Sequence, residues 1–260
     1  MRLLVYNIRY GTGGRPLWFP WSGYLRHTSA TLETLTRFID GLDPDVVGLL
    51  EVDEGSFRSG RQNQAEALAE ALGHYHACRC KYGASSVAHL IPVLNKQSNA
   101  FLTRDSLATN RFHYLDKGFK RLVIELEMEG LVIYLVHLAV TFRTRHHQLS
   151  DLYSLVHGTD KPLIVAGDFN AWWGDKEIQL FLAATKLVNA NTRGLPSFPS
   201  WQPRRQLDFV LHSPEIRPQR FWMPQVTFSD HLPLVFDFEC PGALAPQAAE
   251  QTVSAAIPLS

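Results

Sequence analysis

Strand-length apolar runs alternating with helix-periodic segments mark this chain as an α/β protein. Leu3–Val5, Val46–Leu50 and Leu163–Ala166 are short and continuously apolar, the pattern of strands buried on both faces. Between such runs, apolar residues recur three or four apart, as on one face of a helix. A third observation concerns the ends of the runs, which repeatedly carry a carboxylate, an amide or an imidazole. The composition is globular: of 260 residues, 45% are hydrophobic and 19% charged, enough for one large domain or two small ones.

Taken in order, Leu3–Val5 is a strand that delivers Asn7 to its end. The following Gly- and Pro-rich stretch carries Trp18, Phe19, Trp21 and Tyr24 in a loop. It either packs inward as a lid or stays open to grip a ring-bearing or apolar substrate or to touch a membrane surface. Leu32, Leu35, Ile39 and Leu42 predict an amphipathic helix over about residues 28–41, capped by Thr28 or Ser29 and stopped by Asp43-Pro44. Val46–Leu50 then leads to Glu51. Ser59 and Gln62 have the spacing of a capping box ahead of a second helix through Ala65, Leu68, Ala69 and Leu72, with Gly73 as its stop.

His74, His76, Cys78 and Cys80 alternate, which suggests zinc, but same-face neighbours on a strand are roughly 6.6 Å apart and cannot converge on one tetrahedral ion. These four are read as structural. Ser98–Thr103, Leu122–Glu127 and Leu131–His137 are further strands, the last two a hairpin through Glu129-Gly130. Phe142, Leu149, Tyr153 and Val156 predict a helix leading to the strand at Leu163, and Ile178, Phe181 and Leu182 another after Asp175. Residues 189–203 read as loop. Strands follow at Gln206–Leu211 and Leu234–Phe238, and a poorly ordered tail is expected over 241–260, leaving a single domain over 1–240.

Charge and cysteine content narrow the function classes. Lysine plus arginine equals aspartate plus glutamate at 25 each, so no global basic field points to nucleic acid. Arg143, Arg145, Arg204 and Arg205 are read as a solvated charged face, with a local basic surface facing the site as the alternative. Three cysteines do not make a disulfide framework and suit a reducing compartment. With no run of transmembrane length and no visible secretory signal, a cytoplasmic monomer without a transmembrane segment is expected.

The strand ends together carry Asn7, Glu51, His137, Asp168, Asn170, Asp208, Asp230 and His231. Any one of these is as easily a cap or turn residue. Strand ends on one edge of a sheet are neighbours, however, so the set can converge on one pocket.

At these residues the chain resembles the endonuclease/exonuclease/phosphatase, or DNase I-like, superfamily of metal-dependent phosphoesterases. The resemblance runs from Tyr6-Asn7 through Gly48–Glu51, Ser98–Thr103, Val136-His137, Ala166–Asn170 and Leu207-Asp208 to Ser229–His231. It implies a four-layered α/β/β/α sandwich, with two mainly antiparallel sheets face to face and the site at one end.

It also implies a divalent-metal-dependent phosphoesterase, foremost a phosphodiesterase. Glu51 would be the carboxylate ligand for Mg²⁺ or Mn²⁺, with Asn7 and Asp230 near it. Asp168 would orient or deprotonate the attacking water and Asn170 would hold that water or a phosphate oxygen, while Asp208 would fix His231 as an imidazolium or proton-transfer group. Either Asp168 or His231 would be the base. His137 would donate to the phosphate or the leaving group, and Asn99 with Lys120 or Arg121 would contact substrate. His137 departs from the DNA-repair members, and their abasic-site loops are missing. These differences, the aromatic loop and the balanced charge favour a small or lipid-like phosphoester as partner over a nucleic acid; a nuclease and a non-catalytic binding protein on the same scaffold are the alternatives.

Overall fold

The computed structural model describes residues 1–13, 29–80, 94–118 and 120–242. Its strands are β1 (Arg2–Asn7), β2 (Val46–Asp53), β3 (Tyr75–Cys80), β4 (Gln97–Thr103), β5 (Thr109–Tyr114), β6 (Leu122–Met128), β7 (Leu131–His137), β8 (Leu163–Asp168), β9 (Val188–Asn189), β10 (Asp208–His212), β11 (Arg217–Trp222) and β12 (Leu234–Glu239). The helices are α1 (Ser29–Leu42), α2 (Gln64–Leu72), α3 (Phe142–His157) and α4 (Lys176–Thr185). The aromatic loop at 18–24 and most of the expected tail lie outside the described residues.

Two six-stranded sheets run β3-β4-β2-β1-β12-β11 and β5-β6-β7-β8-β10-β9. In each, only the central pair is parallel, β1 with β2 and β7 with β8, and each such pair is joined through a helix, α1 or α3, as a parallel connection requires. The path β1-α1-β2-α2-β3-β4 recurs as β7-α3-β8-α4-β9-β10. The hairpin that follows each half joins the other half's sheet, β5-β6 beside β7 and β11-β12 beside β1.

Three apolar layers hold this together. Leu3 and Val5 on β1 meet Ile133 and Leu135 on β7 between the sheets, whereas Leu4 and Tyr6 point the other way, onto α1 and α2 with Leu35, Ile39 and Leu68. Val165 and Phe209 pack outward against Leu149, Leu152 and Phe181 of α3 and α4. The expected four-layered α/β/β/α sandwich is therefore the one observed. Strands with apolar residues on both faces read as continuous runs because both faces are covered.

Some local expectations give way to the structure. The cap of α2 is Asn63, whose Oδ1 accepts from the N–H groups of Ala65 (3.0 Å) and Glu66 (3.4 Å), while the Ser59 hydroxyl donates to Asp53 and to the Ser56 carbonyl. On α3 the inward stripe is Leu149, Leu152 and Val156; Phe142 and Tyr153 are exposed. In the His74–Cys80 stretch, His74 bonds the Pro44 carbonyl and Cys78 donates to Glu54.

Candidate functional site

The parallel pair β7/β8 fixes the middle of the site. Val136 is opposite Gly167, and a Cβ at Gly167 would stand 1.9 Å from the Val136 carbonyl oxygen, so only glycine (φ 143°) permits this approach. One residue on, His137 and Asp168 are partners in register, with His137 Nε2 3.3 Å from Asp168 Oδ2. On the other side of Asp168, Asn7 at the end of β1 donates from Nδ2 to the same oxygen at 3.3 Å. The two sheets thus meet at this carboxylate.

β10 runs antiparallel to β8 with Asp208 opposite Asp168, and Asp208 Oδ2 is 2.8 Å from His231 Nδ1. Ser197 Oγ donates to Asp208 Oδ2 at 2.6 Å, so that carboxylate is held from two sides. The far nitrogen of His231, Nε2, lies 4.0 Å from Asp168 Oδ2. Phe198, packed edge-on to Trp172 (5.1 Å) and tilted against His231 (5.0 Å), walls this side of the site.

Glu51 reaches the cluster because β2 bulges. Its register with β4 shifts between Leu49 and Val52, and Glu51 takes φ 54°, an unusual conformation for a residue with a side chain. Asn99 Oδ1 accepts the Glu51 N–H at 3.3 Å and supports the bulge. Lys120 Nζ is 3.5 Å from Glu51 Oε1 and hydrogen-bonds His137 Nε2, while Asp230 pairs with Arg9 at 3.3 Å.

Burial and neighbouring charge set the protonation states. Burial pushes the Asp168 carboxyl up, but the His137 hydrogen bond and the His231 charge outweigh it and hold it well below the ordinary carboxylate range. For His231 burial lowers the pKa, yet the charges of Asp208, Asp168 and Asp230 raise it to about 10, leaving an imidazolium. His137 goes the other way: burial and Lys120 push it down to about 4, so it is a neutral ring. Asp230 is raised by burial, and the charge of Glu51 pushes it further in the same direction.

The sequence-predicted residues Asn7, Glu51, His137, Asp168, Asp208, Asp230 and His231 therefore come to one end of the sandwich. Asn170, two residues past Asp168, turns its side chain to the Leu138 carbonyl and to the Trp172 indole, and its N–H to Asp168 Oδ1 (2.9 Å). Asn99 is buried and meets Glu51 backbone rather than the open site. Arg121 does not join: its guanidinium donates to the Asp116 carbonyl at 3.5 Å, and its neighbour Lys120 is the cation that faces inward. Nor do the four expected surface arginines stay together, since Arg145 is fully buried. Arg9 and Ser197 were not singled out from sequence. Arg9 lies two residues after Asn7, a position that would have flagged it, but Ser197 comes from an irregular loop with no such signal.

The donor set fits a hard divalent cation. Asp168, Asp208 and His231 bring ligand-capable atoms within 4.8 Å of one another, and Glu51 and Asp230 add two further oxygen-bearing carboxylates to the same end. Among the described residues no helix is long and apolar enough to cross a membrane.

Known proteins agree with this architecture. A structure of an endonuclease/exonuclease/phosphatase from Beutenbergia cavernae is similar over 92% of this chain and 71% of its own, with 19% identity and a TM-score of 0.68. A mannosyl-6-phosphatase from Bacteroides thetaiotaomicron matches 92% of this chain and 99% of its own at 14% identity and a TM-score of 0.66. The human Nocturnin catalytic domain with bound sulfate matches 92% and 93% at 21% identity and a TM-score of 0.62. No curated protein sequence gives a significant match. These likenesses establish the fold. The sequence profile of the Endonuclease/Exonuclease/phosphatase family matches residues 4–231, nearly the whole described chain. With a divalent-ion ligand set at the end of that scaffold, the chain belongs to the Endonuclease/Exonuclease/phosphatase family as a metal-dependent phosphoester hydrolase.

Proposed function

We propose that this enzyme is a Mg²⁺- or Mn²⁺-dependent phosphodiesterase in which Glu51, Asn7 and Asp230 hold the ion and the Asp168/Asp208/His231 group serves the reacting water and phosphate. The observation that carries this is the His231–Asp208 pair at 2.8 Å beside an ionised Asp168. Asp208 Oδ2 already takes bonds from His231 and Ser197, and His231 as an imidazolium has no lone pair to offer an ion. Glu51 and Asp230 are more open to solvent. A bound divalent ion there supplies charge neutralisation on phosphate oxygens and a more acidic water.

The chain's own residues provide the rest. Asp168 accepts a hydrogen bond from the attacking water and aims it, and Asn170 fixes Asp168 through its N–H. The His231 imidazolium places a positive donor against the charge that builds on phosphorus oxygens, held in orientation by Asp208. His137 is neutral and its Nε2 accepts from Lys120, so its part is to hold the Lys120 ammonium beside Asp168 rather than to act as an acid, and Lys120 is the donor to phosphate on that side.

A nucleic-acid diester is the second reading, favoured by Arg205, whose guanidinium lies 5.6 Å over the Trp172 ring next to Phe198 and His231. Because one similar structure is named a mannosyl-6-phosphatase, a monoester belongs among the test substrates. Hydrolysis of bis-p-nitrophenyl phosphate, p-nitrophenyl phosphate, single-stranded DNA and phosphatidylcholine vesicles is measured with Mg²⁺, Mn²⁺ or EDTA. Metal-dependent turnover of the diester above the monoester is expected. Preference for the monoester would replace the diester reading, and DNA cleavage that weakens steeply with salt would favour the nuclease.

A further inference from the structure

Among the described residues two arginines, Arg58 and Arg145, are the largest side chains removed from solvent. Arg145 lies in the first turns of α3, where a cation opposes the helix dipole, and burying its charge carries a desolvation penalty. Neither the helix dipole nor ordinary core packing favours it there. Its contacts show what it does instead. Nε donates to Glu177 Oε1 of α4 at 2.7 Å, Nη2 bonds the same oxygen, and Nη1 donates to the carbonyls of Ala139 (3.0 Å), Val140 (2.8 Å) and Asn170 (2.7 Å).

Those carbonyls belong to the two loops that leave the site, one after His137 on β7 and one after Asp168 on β8. Asn170 sits in the second with φ 52°, a left-handed conformation that must be held by its surroundings. Its N–H goes to Asp168 Oδ1, its Nδ2 crosses to the Leu138 carbonyl in the first loop, and its Oδ1 accepts the Trp172 indole N–H at 2.9 Å. One guanidinium, balanced by one carboxylate, therefore closes a ring of bonds around the residue that orients Asp168.

We propose that Arg145 is a positioning residue for hydrolysis: with Glu177 it clamps the loops after β7 and β8 so that Asn170 keeps Asp168 aimed. The proposal rests on the reading of Asp168 and Asn170 given above. Lysine at 145 keeps the charge but lacks the planar fork that serves several acceptors at once.

The test compares wild type with Arg145→Lys and Glu177→Gln by amide and indole hydrogen exchange and by turnover of bis-p-nitrophenyl phosphate. In Arg145→Lys, protection of the Asn170 amide and the Trp172 indole N–H falls while that of β1 amides is kept. The kcat falls by about ten- to a hundredfold with KM nearly constant. In an Asn170→Ala background, which keeps the N–H to Asp168 but loses the side-chain ties of the same loop, Arg145→Lys then has less than its full effect on kcat, because both substitutions loosen one loop. Unchanged local protection, protection lost evenly over the whole molecule, or kcat losses that add in full would overturn the clamp. Should Arg145→Lys not fold, Glu177→Gln carries the same comparison. Absence of turnover in the wild type would sink the functional reading, and the exchange data would still decide on the clamp.

Discussion

In the first half of the sandwich β1 and β2 bring Asn7 and Glu51 to the site, with Asn99 of β4 behind Glu51, and the connection inside the exchanged hairpin carries Lys120. In the second half the equivalent places hold His137, Asp168 and Asp208, and the connection inside the exchanged hairpin carries Asp230-His231. The same path thus arms the same end twice, with different chemistry. The Glu51 side chain keeps 16% of its surface exposed, whereas Asp168 and Asp208 keep 3% and 2%. Glu51 meets Lys120 across a long 3.5 Å contact; Asp208 is fixed by Ser197 at 2.6 Å and His231 at 2.8 Å. Open carboxylates on one side and a locked hydrogen-bond network on the other suit the two tasks proposed for them, holding an exchangeable cation and presenting preorganised groups to the reacting atoms.

Breaking the frame that joins the halves should have the largest effect. Gly167→Ala drives a methyl group into the Val136 carbonyl, and a loss of roughly 3 kcal/mol or more is expected, seen as a lowered thermal midpoint together with loss of activity. Next come the locked groups. His231→Ala and Asp208→Asn should lower kcat by about 10² to 10⁴-fold while the fold, followed by circular dichroism, persists. On the open side, Glu51→Gln should weaken Mn²⁺ binding by about tenfold or more, measured by calorimetry, with the thermal midpoint of the metal-free protein little changed.

Smaller effects sharpen the contrast. Asn99→Ala removes the acceptor that supports the β2 bulge and should lower activity by about tenfold through Glu51. Arg121→Ala should leave turnover within about twofold, because its guanidinium bonds the Asp116 carbonyl away from the cluster, as expected for a surface change far from such features. A large loss on Arg121→Ala would place it at the substrate after all.

Much of this was legible in the sequence where burial imposes a pattern. Central strands such as Leu131–His137 and Leu163–Asp168 are apolar on both faces, so their extent and their polar last residues stand out. Edge strands do not: β5 and β11 have no buried residue and carry arginine, asparagine, glutamine and proline, so nothing in Thr109–Tyr114 or Arg217–Trp222 marks a strand. The exchange of hairpins between the sheets is a long-range pairing with no local signature. At the site, strand-end residues were readable by position. Loop-borne Ser197, the choice of Lys120 over Arg121 and the inward turn of Arg145 depend on tertiary direction, which adjacent positions in a sequence do not encode.

The most direct test of the division of labour is the dependence of bis-p-nitrophenyl phosphate hydrolysis on Mn²⁺ concentration in wild type, Glu51→Gln and Asp208→Asn. The structure predicts that Glu51→Gln shifts the Mn²⁺ concentration for half-maximal rate upward, while Asp208→Asn lowers the maximal rate and leaves that concentration unchanged. If Asp208→Asn shifts the metal dependence and Glu51→Gln does not, the ion belongs to the Asp168/Asp208/His231 group and the roles assigned to the two halves are reversed.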